Sequence, residues 1–196
     1  MPEINSALEN VGTGFAAFLS PPGPEVIRFS VGQPNFDTPQ PIVDEAKAAL
    51  DRGETAYTRT QGSVELCQAV ATHLTIHDIS ANPDDVLITP GCKQALLYSM
   101  MATLEAGDEV LLLSPAWPSY DGMLKLLNYV PVHVPVRRDN YHPDFSALEA
   151  AVTLKTKAII LNSPNNPTGA VYTPQEIQQL LDFATKHDLW IIDDMI

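Results

Sequence analysis

The period of the apolar positions changes along the chain, and each change marks an element. Thr38 reads as an N-cap with Pro39 at the first helical position. Ile42, Val43, Ala46, Ala49 and Leu50 then follow at helical spacing, and Gly53 ends the run. Ser63 opens a second helix with Leu66, Ala69, Val70 and Leu74 on one face. Val86–Thr89 reads as a short apolar strand, Pro90-Gly91 turns the chain, and a helix runs from about Cys92 to Leu104. A strand is expected at Glu109–Leu113, a helix at Ser119–Leu127 and an alternating strand at Val130–Val136. Then come a helix at Phe145–Val152 and a strand at Ala158–Leu161. A helix at Pro174–His187, with Ile177, Leu180, Leu181 and Ala184 inward, precedes a last strand at Leu189–Ile192.

Strands that alternate with helices through short links make βαβ units. The expected fold class is therefore α/β, a mostly parallel sheet flanked by helices. Residues 1–37 read differently, as an irregular arm or small-domain segment. Pro21-Pro22-Gly23-Pro24 breaks any element, Arg28–Val31 is a possible short extended piece, and Gly32-Gln33-Pro34-Asn35 interrupts again. Residues 38–196 read as one larger domain, and a stop directly after a strand reads as an incomplete one.

Composition narrows the function classes. The 196 residues carry a formal net charge of −13, which disfavours nucleic acid and anionic membrane surfaces as partners, since both are negative. A single phosphate-bearing ligand stays compatible, because backbone N–H groups can hold a phosphate locally. No apolar run reaches the roughly 18 residues of a membrane span, and the acidic start of the chain lacks the apolar core of a secretory signal. The two cysteines, Cys67 and Cys92, form no metal-like pair and fit a reducing, cytoplasmic setting. His73 and His77 stand four apart on one helix, a spacing open to metal, but no acidic or thiol partner accompanies them and no metal is expected.

Ligands of open α/β sheets gather at the C-terminal ends of strands. Four segments fall there. Thr89-Pro90-Gly91-Cys92-Lys93-Gln94 turns from strand to helix, and its free N–H groups and helix dipole can hold an anion, although glycine there also serves an ordinary turn. Trp117, between Pro115 and Pro118, can offer a flat face to an aromatic ligand or simply fill a core. The loop Asn162-Ser163-Pro164-Asn165-Asn166-Pro167-Thr168-Gly169 can fix an amide as a hydrogen-bond donor. Asp193 and Asp194 end an apolar strand, and as neighbours they point to opposite faces and have different jobs.

Taken in order, Gly32-Gln33-Pro34-Asn35-Phe36, the Pro-Gly-Cys-Lys-Gln-Ala turn, the proline–tryptophan segment and Ser163-Pro164-Asn165-Asn166-Pro167-Thr168-Gly169 resemble the fold-type-I, class I/II aminotransferases of the aspartate-aminotransferase type. The resemblance runs from about Arg28 to Ile196. It implies pyridoxal 5'-phosphate (PLP) as cofactor, an amino acid and a 2-oxo acid as substrates, and a homodimer. Gly91, Cys92 and Lys93 would form the phosphate cup, Trp117 would stack on the pyridine ring, and Asn166 would bond the ring's phenolic oxygen. Asp194 would be the catalytic partner of the pyridine nitrogen. Tyr57 would reach the phosphate of a neighbouring subunit. Gly32, with Trp117 and Asn166, would border the substrate, and residues 38–196 would be part of the PLP-binding large domain.

Asn35 stands where the family often has aspartate, and Cys67 where an arginine often follows the leucine of Glu65-Leu66. The family's Schiff-base lysine sits in a Ser-x-Ser-Lys-like segment far downstream of Asp194, and no such segment occurs in these residues. The chain alone is therefore expected to be inactive. The resemblance also implies that the strands lying between Val86–Thr89 and Leu189–Ile192 belong to that downstream half, so that about four strands pair here and Val86–Thr89 do not. A lyase or cyclopropane-type synthase shares the same cofactor residues, and a non-catalytic binding fragment is the alternative from another class. A nicotinamide-binding domain is disfavoured because no GxGxxG follows any strand.

Overall fold

A computed structural model describes residues 23, 25–27, 32 and 34–195. Residues 1–22, Pro24, the Arg28–Val31 piece, Gln33 and Ile196 lie outside the described residues. What is described falls into two compact units, one ending at Ala95 and one beginning at Leu96.

The second unit holds a four-stranded, wholly parallel sheet in the order β2-β1-β3-β4. Its strands are β1 (Glu109–Ser114), β2 (Val130–Pro135), β3 (Thr156–Leu161) and β4 (Trp190–Asp193). The helices between them are α4 (Pro118–Leu126), α5 (Phe145–Ala151) and α6 (Pro174–His187). Side chains of a strand alternate between faces. Val110 and Leu112 of β1, with Ala158 and Ile160 of β3, bury against Met100, Tyr120 and Leu124 on one side. Leu111 and Leu113, with Ile159 and Leu161, bury against Leu148, Leu180 and Phe183 on the other. Helices thus cover both faces, which is why β1 and β3 read as continuous apolar runs. The α/β expectation holds.

The first unit contains α1 (Gln40–Asp51), α2 (Val64–Leu74) and the start of α3 (Cys92–Thr103), whose residues from Leu96 onward belong to the second. Ser63 caps α2 as expected, its hydroxyl accepting from the Leu66 amide. The buried face is shifted from the one expected. Cys67 and Ala71 are buried with Val86, while Leu66 is exposed. Likewise α6 buries Phe183 beside Leu180 and Ala184 and leaves Leu181 exposed. No residue of α1 is buried among the described residues, and Ile42 and Leu50 stay exposed.

Val86–Thr89 joins no ladder among the described residues, which corrects its reading as a strand and agrees with its expected lack of strand partners. Its apolar character has another use. Val86 packs on Cys67 and Ala71, and the Ile88 amide donates to Gln61 O at 2.8 Å.

One polar cluster braces the sheet unit. Thr173 and Glu176 form a capping box at the start of α6. The Glu176 carboxylate also accepts from His142 Nδ1 at 2.8 Å and from the Arg137 guanidinium. Burial pushes its pKa up, but the Thr173 amide, His142 and the Thr173 hydroxyl outweigh that and hold it at about 2. Its folded-state pKa lies below the ordinary 4.5, so its stabilisation is present above that value and fades as pH falls toward about 2. Glu176→Gln is expected to cost about 2 kcal/mol at neutral pH after allowing for solvent screening. Urea denaturation at several pH values should show that difference shrinking below about pH 4.

Candidate functional site at the strand ends

β1, β3 and β4 all deliver their C-terminal ends to the same edge of the sheet, because the sheet is parallel. Asp194 follows β4 directly. Its amide continues the ladder by donating to Leu161 O at 2.8 Å, and its carbonyl accepts from Asn162 Nδ2 at 2.7 Å. Backbone held on both sides fixes where the carboxylate starts. Asp194 is 9% exposed, and its Oδ2 accepts from the Tyr120 hydroxyl at 2.5 Å. Asp193 is exposed, so the two neighbouring carboxylates do face different surroundings.

Tyr120 lies in the first turn of α4, three residues after Trp117, which stands at the N-cap of that helix. That spacing puts the two rings on one side, with centroids 5.3 Å apart and planes at 86°. Asn162 works in two directions. Its Nδ2 holds the Asp194 carbonyl, and its Oδ1 accepts from the Asn166 amide at 2.7 Å. Asn165, buried, then ties the loop to itself, since its Oδ1 accepts from the Thr168 hydroxyl and its carbonyl from the Gly169 amide. The side chain of Asn166 is exposed on this braced loop.

Trp117, Asp194 and Asn166 are therefore joined through Tyr120 and Asn162. Sequence reasoning named Asn162 only within a loop whose amide could donate, and gave Tyr120 no role. The available signal was the i, i+3 spacing of Trp117 and Tyr120, and the position of Asn162 at the first residue past β3. The cavity beneath, bordered by Leu112, Tyr120, Asn162 and Asn165, measures about 10 Å³. It has room for one water at most.

In the first unit, Gly91 has φ +92°, a conformation that disfavours any side chain, and α3 starts at the next residue. The Thr89 hydroxyl and the Gln94 amide both donate to Gly91 O, which fastens the turn. Cys92 and Lys93 open the helix and are exposed. Gly32 and Tyr57 are exposed in this unit. His73 lies near the end of α2 and His77 in the 3-10 turn Thr75–His77 that follows it, which corrects their reading as one helix, and their rings stand edge-on at 5.4 Å.

The strand ends of this parallel sheet thus carry an aromatic ring, an amide and a buried carboxylate linked to one another, at the place where ligands of open α/β sheets gather. The chain belongs to the class I and II aminotransferase family, whose model matches residues 24–196. It is 38% identical over 176 residues to the aspartate/prephenate aminotransferase of Thermus thermophilus, covering 89% of this chain and 46% of that protein. It is 41% identical over 174 residues to aromatic-amino-acid aminotransferase 2 of Thermococcus litoralis, covering 87% and 45%. Among solved structures, aspartate aminotransferase from Thermus thermophilus with maleate superposes with a TM-score of 0.91 at 34% identity, covering all of this chain and 54% of that one. The chain thus spans about half the length of the curated relatives it matches.

Proposed function

We propose that this chain is the ring-holding half of a PLP-dependent aminotransferase that exchanges an amino group between an amino acid and a 2-oxo acid. The observation that carries the reading is the linked set Trp117–Tyr120–Asp194–Asn162–Asn166 at the strand ends. The donor set fits the cofactor. A pyridinium ring needs a carboxylate at its nitrogen, a flat apolar face and a donor for its phenolic oxygen, and these residues supply all three.

Bound PLP supplies an electron sink that stabilises negative charge at the α-carbon of an amino acid. Asp194 would favour the protonated state of the ring nitrogen, and the Tyr120 hydroxyl, donating to its Oδ2, aims that carboxylate. Trp117 would lie along one face of the ring and shield it from water. Asn166, on a loop stiffened by Asn162 and Asn165, would hold the ring's tilt. Gly91, Cys92 and Lys93 would receive the phosphate on the amides of the α3 N-terminus, where the helix dipole favours an anion. Tyr57 would complete a partner subunit's phosphate site in a homodimer, and Gly32 would lie over the substrate. Residues 38–196 would then be part of the cofactor domain and residues 1–37 an arm. A cytoplasmic enzyme is the reading that matches the free cysteines. No helix among the described residues is long and apolar enough to cross a membrane.

The lysine that bonds the cofactor would lie outside these 196 residues. The full-length enzyme should therefore transfer amino groups from an amino acid to a 2-oxo acid, with the new amino acid detected by chromatography. The 196-residue chain alone, incubated with PLP and borohydride, should give no stoichiometric adduct at a single lysine and no transfer. Turnover by the chain alone would show that the chemistry has been misplaced.

A further inference from the structure

A second polar chain links the two ends of the segment that carries Trp117. Ser114, the last residue of β1, places Oγ 2.8 Å from His133 Nδ1. His133, on β2, places Nε2 3.0 Å from Asp121 Oδ1. Asp121, in the first turn of α4, also pairs through Oδ2 with Lys125 Nζ at 2.6 Å. Ser114 and Asp121 flank the segment that carries Trp117, so one imidazole spans its two ends. We propose that His133 is a positioning residue for the cofactor, bridging Ser114 and Asp121 so that the segment between them presents the Trp117 ring in one orientation. The inference rests on the aminotransferase reading given above.

Hydrogen-bond inventory supports a bridge that is always made. The Asp121 carboxylate accepts only, so Nε2 carries a proton and donates to it. With neutral imidazole, Nδ1 accepts from the Ser114 hydroxyl. With charged imidazole, Nδ1 donates to Ser114 Oγ, and that hydroxyl turns to the Leu112 carbonyl, 3.4 Å away. Either state leaves every member partnered. Burial raises the pKa of Asp121, but Lys125 and His133 together bring it below the ordinary carboxylate value, so its acceptor role persists. His133 is half exposed, so the bridge is a positional restraint more than a source of global stability. Serine, histidine and aspartate also build nucleophile relays. Here the imidazole's two nitrogens reach the two ends of the tryptophan segment, which favours positioning.

The test uses tryptophan emission. These 196 residues hold two tryptophans, Trp117 and the exposed Trp190, so Trp190→Phe in the full-length protein, with any tryptophan outside these residues also changed to Phe, leaves Trp117 as the sole emitter. In that background and without cofactor, His133→Ala should raise the acrylamide quenching constant of Trp117 about twofold and lower its anisotropy. His133→Gln, which keeps one donor and one acceptor, should restore both. Should His133→Ala fail to fold, Ser114→Ala cuts the bridge at its other end and should give the same change. In the full-length enzyme, His133→Ala should weaken PLP retention by about fivefold, the scale of one lost hydrogen bond. Unchanged quenching in folded His133→Ala and Ser114→Ala proteins would overturn the bridge. Increased quenching with unchanged PLP retention would overturn its link to the cofactor. Failure of the parent full-length enzyme to bind PLP would overturn the aminotransferase reading itself, while the cofactor-free quenching still reports on the bridge.

Discussion

Asp194→Asn in the full-length enzyme is expected to lower kcat/KM for amino-group transfer by on the order of 10²–10³-fold, the scale of losing one preorganised electrostatic partner. The substitution keeps the shape of the side chain and leaves the backbone bonds to Leu161 and Asn162 in place. On the proposed reading, what it would remove is the charge that favours a protonated ring nitrogen. Tyr120→Phe leaves that charge and removes only the bond that orients it, so it should cost less, about tenfold. The order of the two effects matters more than either size. If Asp194→Asn retained activity within threefold while Tyr120→Phe lost more, the carboxylate would be serving the fold and not the ring. Circular dichroism of both variants separates folding from chemistry.

Gly62→Ala should be the most damaging small substitution in the first unit. Gly62 has φ +115°, and a Cβ built there would sit 2.7 Å from Ile88 Cγ1 and 2.8 Å from Ile88 Cβ. The backbone conformation alone costs a non-glycine residue about 1–3 kcal/mol. Overpacking against a branched side chain costs about 1–3 kcal/mol more. Ile88 cannot retreat freely, because its own amide is held by Gln61 O and it packs beside Val86. The Thr89-Pro90-Gly91 turn follows at once, so the displacement also reaches the start of α3 at Cys92 and Lys93. Denaturant titration should show a loss of about 2–6 kcal/mol. Ile88→Ala in the Gly62→Ala background should recover part of it, a coupling expected only for residues in contact. An unchanged unfolding midpoint for Gly62→Ala would mean that this close approach is absent in solution.

The elements that sequence patterning reads well here are those whose signals are local. The Thr173-Pro174 start of α6 needs only its own cap. β1 and β3 show themselves as apolar runs because helices cover both of their sides. Val86–Thr89 looks the same in sequence and behaves differently, because apolar spacing reports burial and not pairing, and its burial is against α2. The one-residue shift from Leu66 to Cys67 has a similar origin, since helical spacing fixes a face to within a residue or so and the neighbouring element chooses the centre. At the site, Trp117, Asn166 and Asp194 stand out through motifs. Tyr120 and Asn162 do not, because their roles lie in bonds to Asp194 across 74 and 32 residues of chain. A local pattern carries no record of such a partner.

The central claim is that Asp194 pairs with a pyridine ring nitrogen at the end of β4. Its most direct measurement is the nitrogen NMR shift of ring-labelled PLP bound to the full-length enzyme, taken for the parent and for Asp194→Asn. The parent should show a protonated ring nitrogen at neutral pH, and Asp194→Asn should show an unprotonated one. An unprotonated nitrogen in the parent, or the same protonated shift in both proteins, would contradict the account.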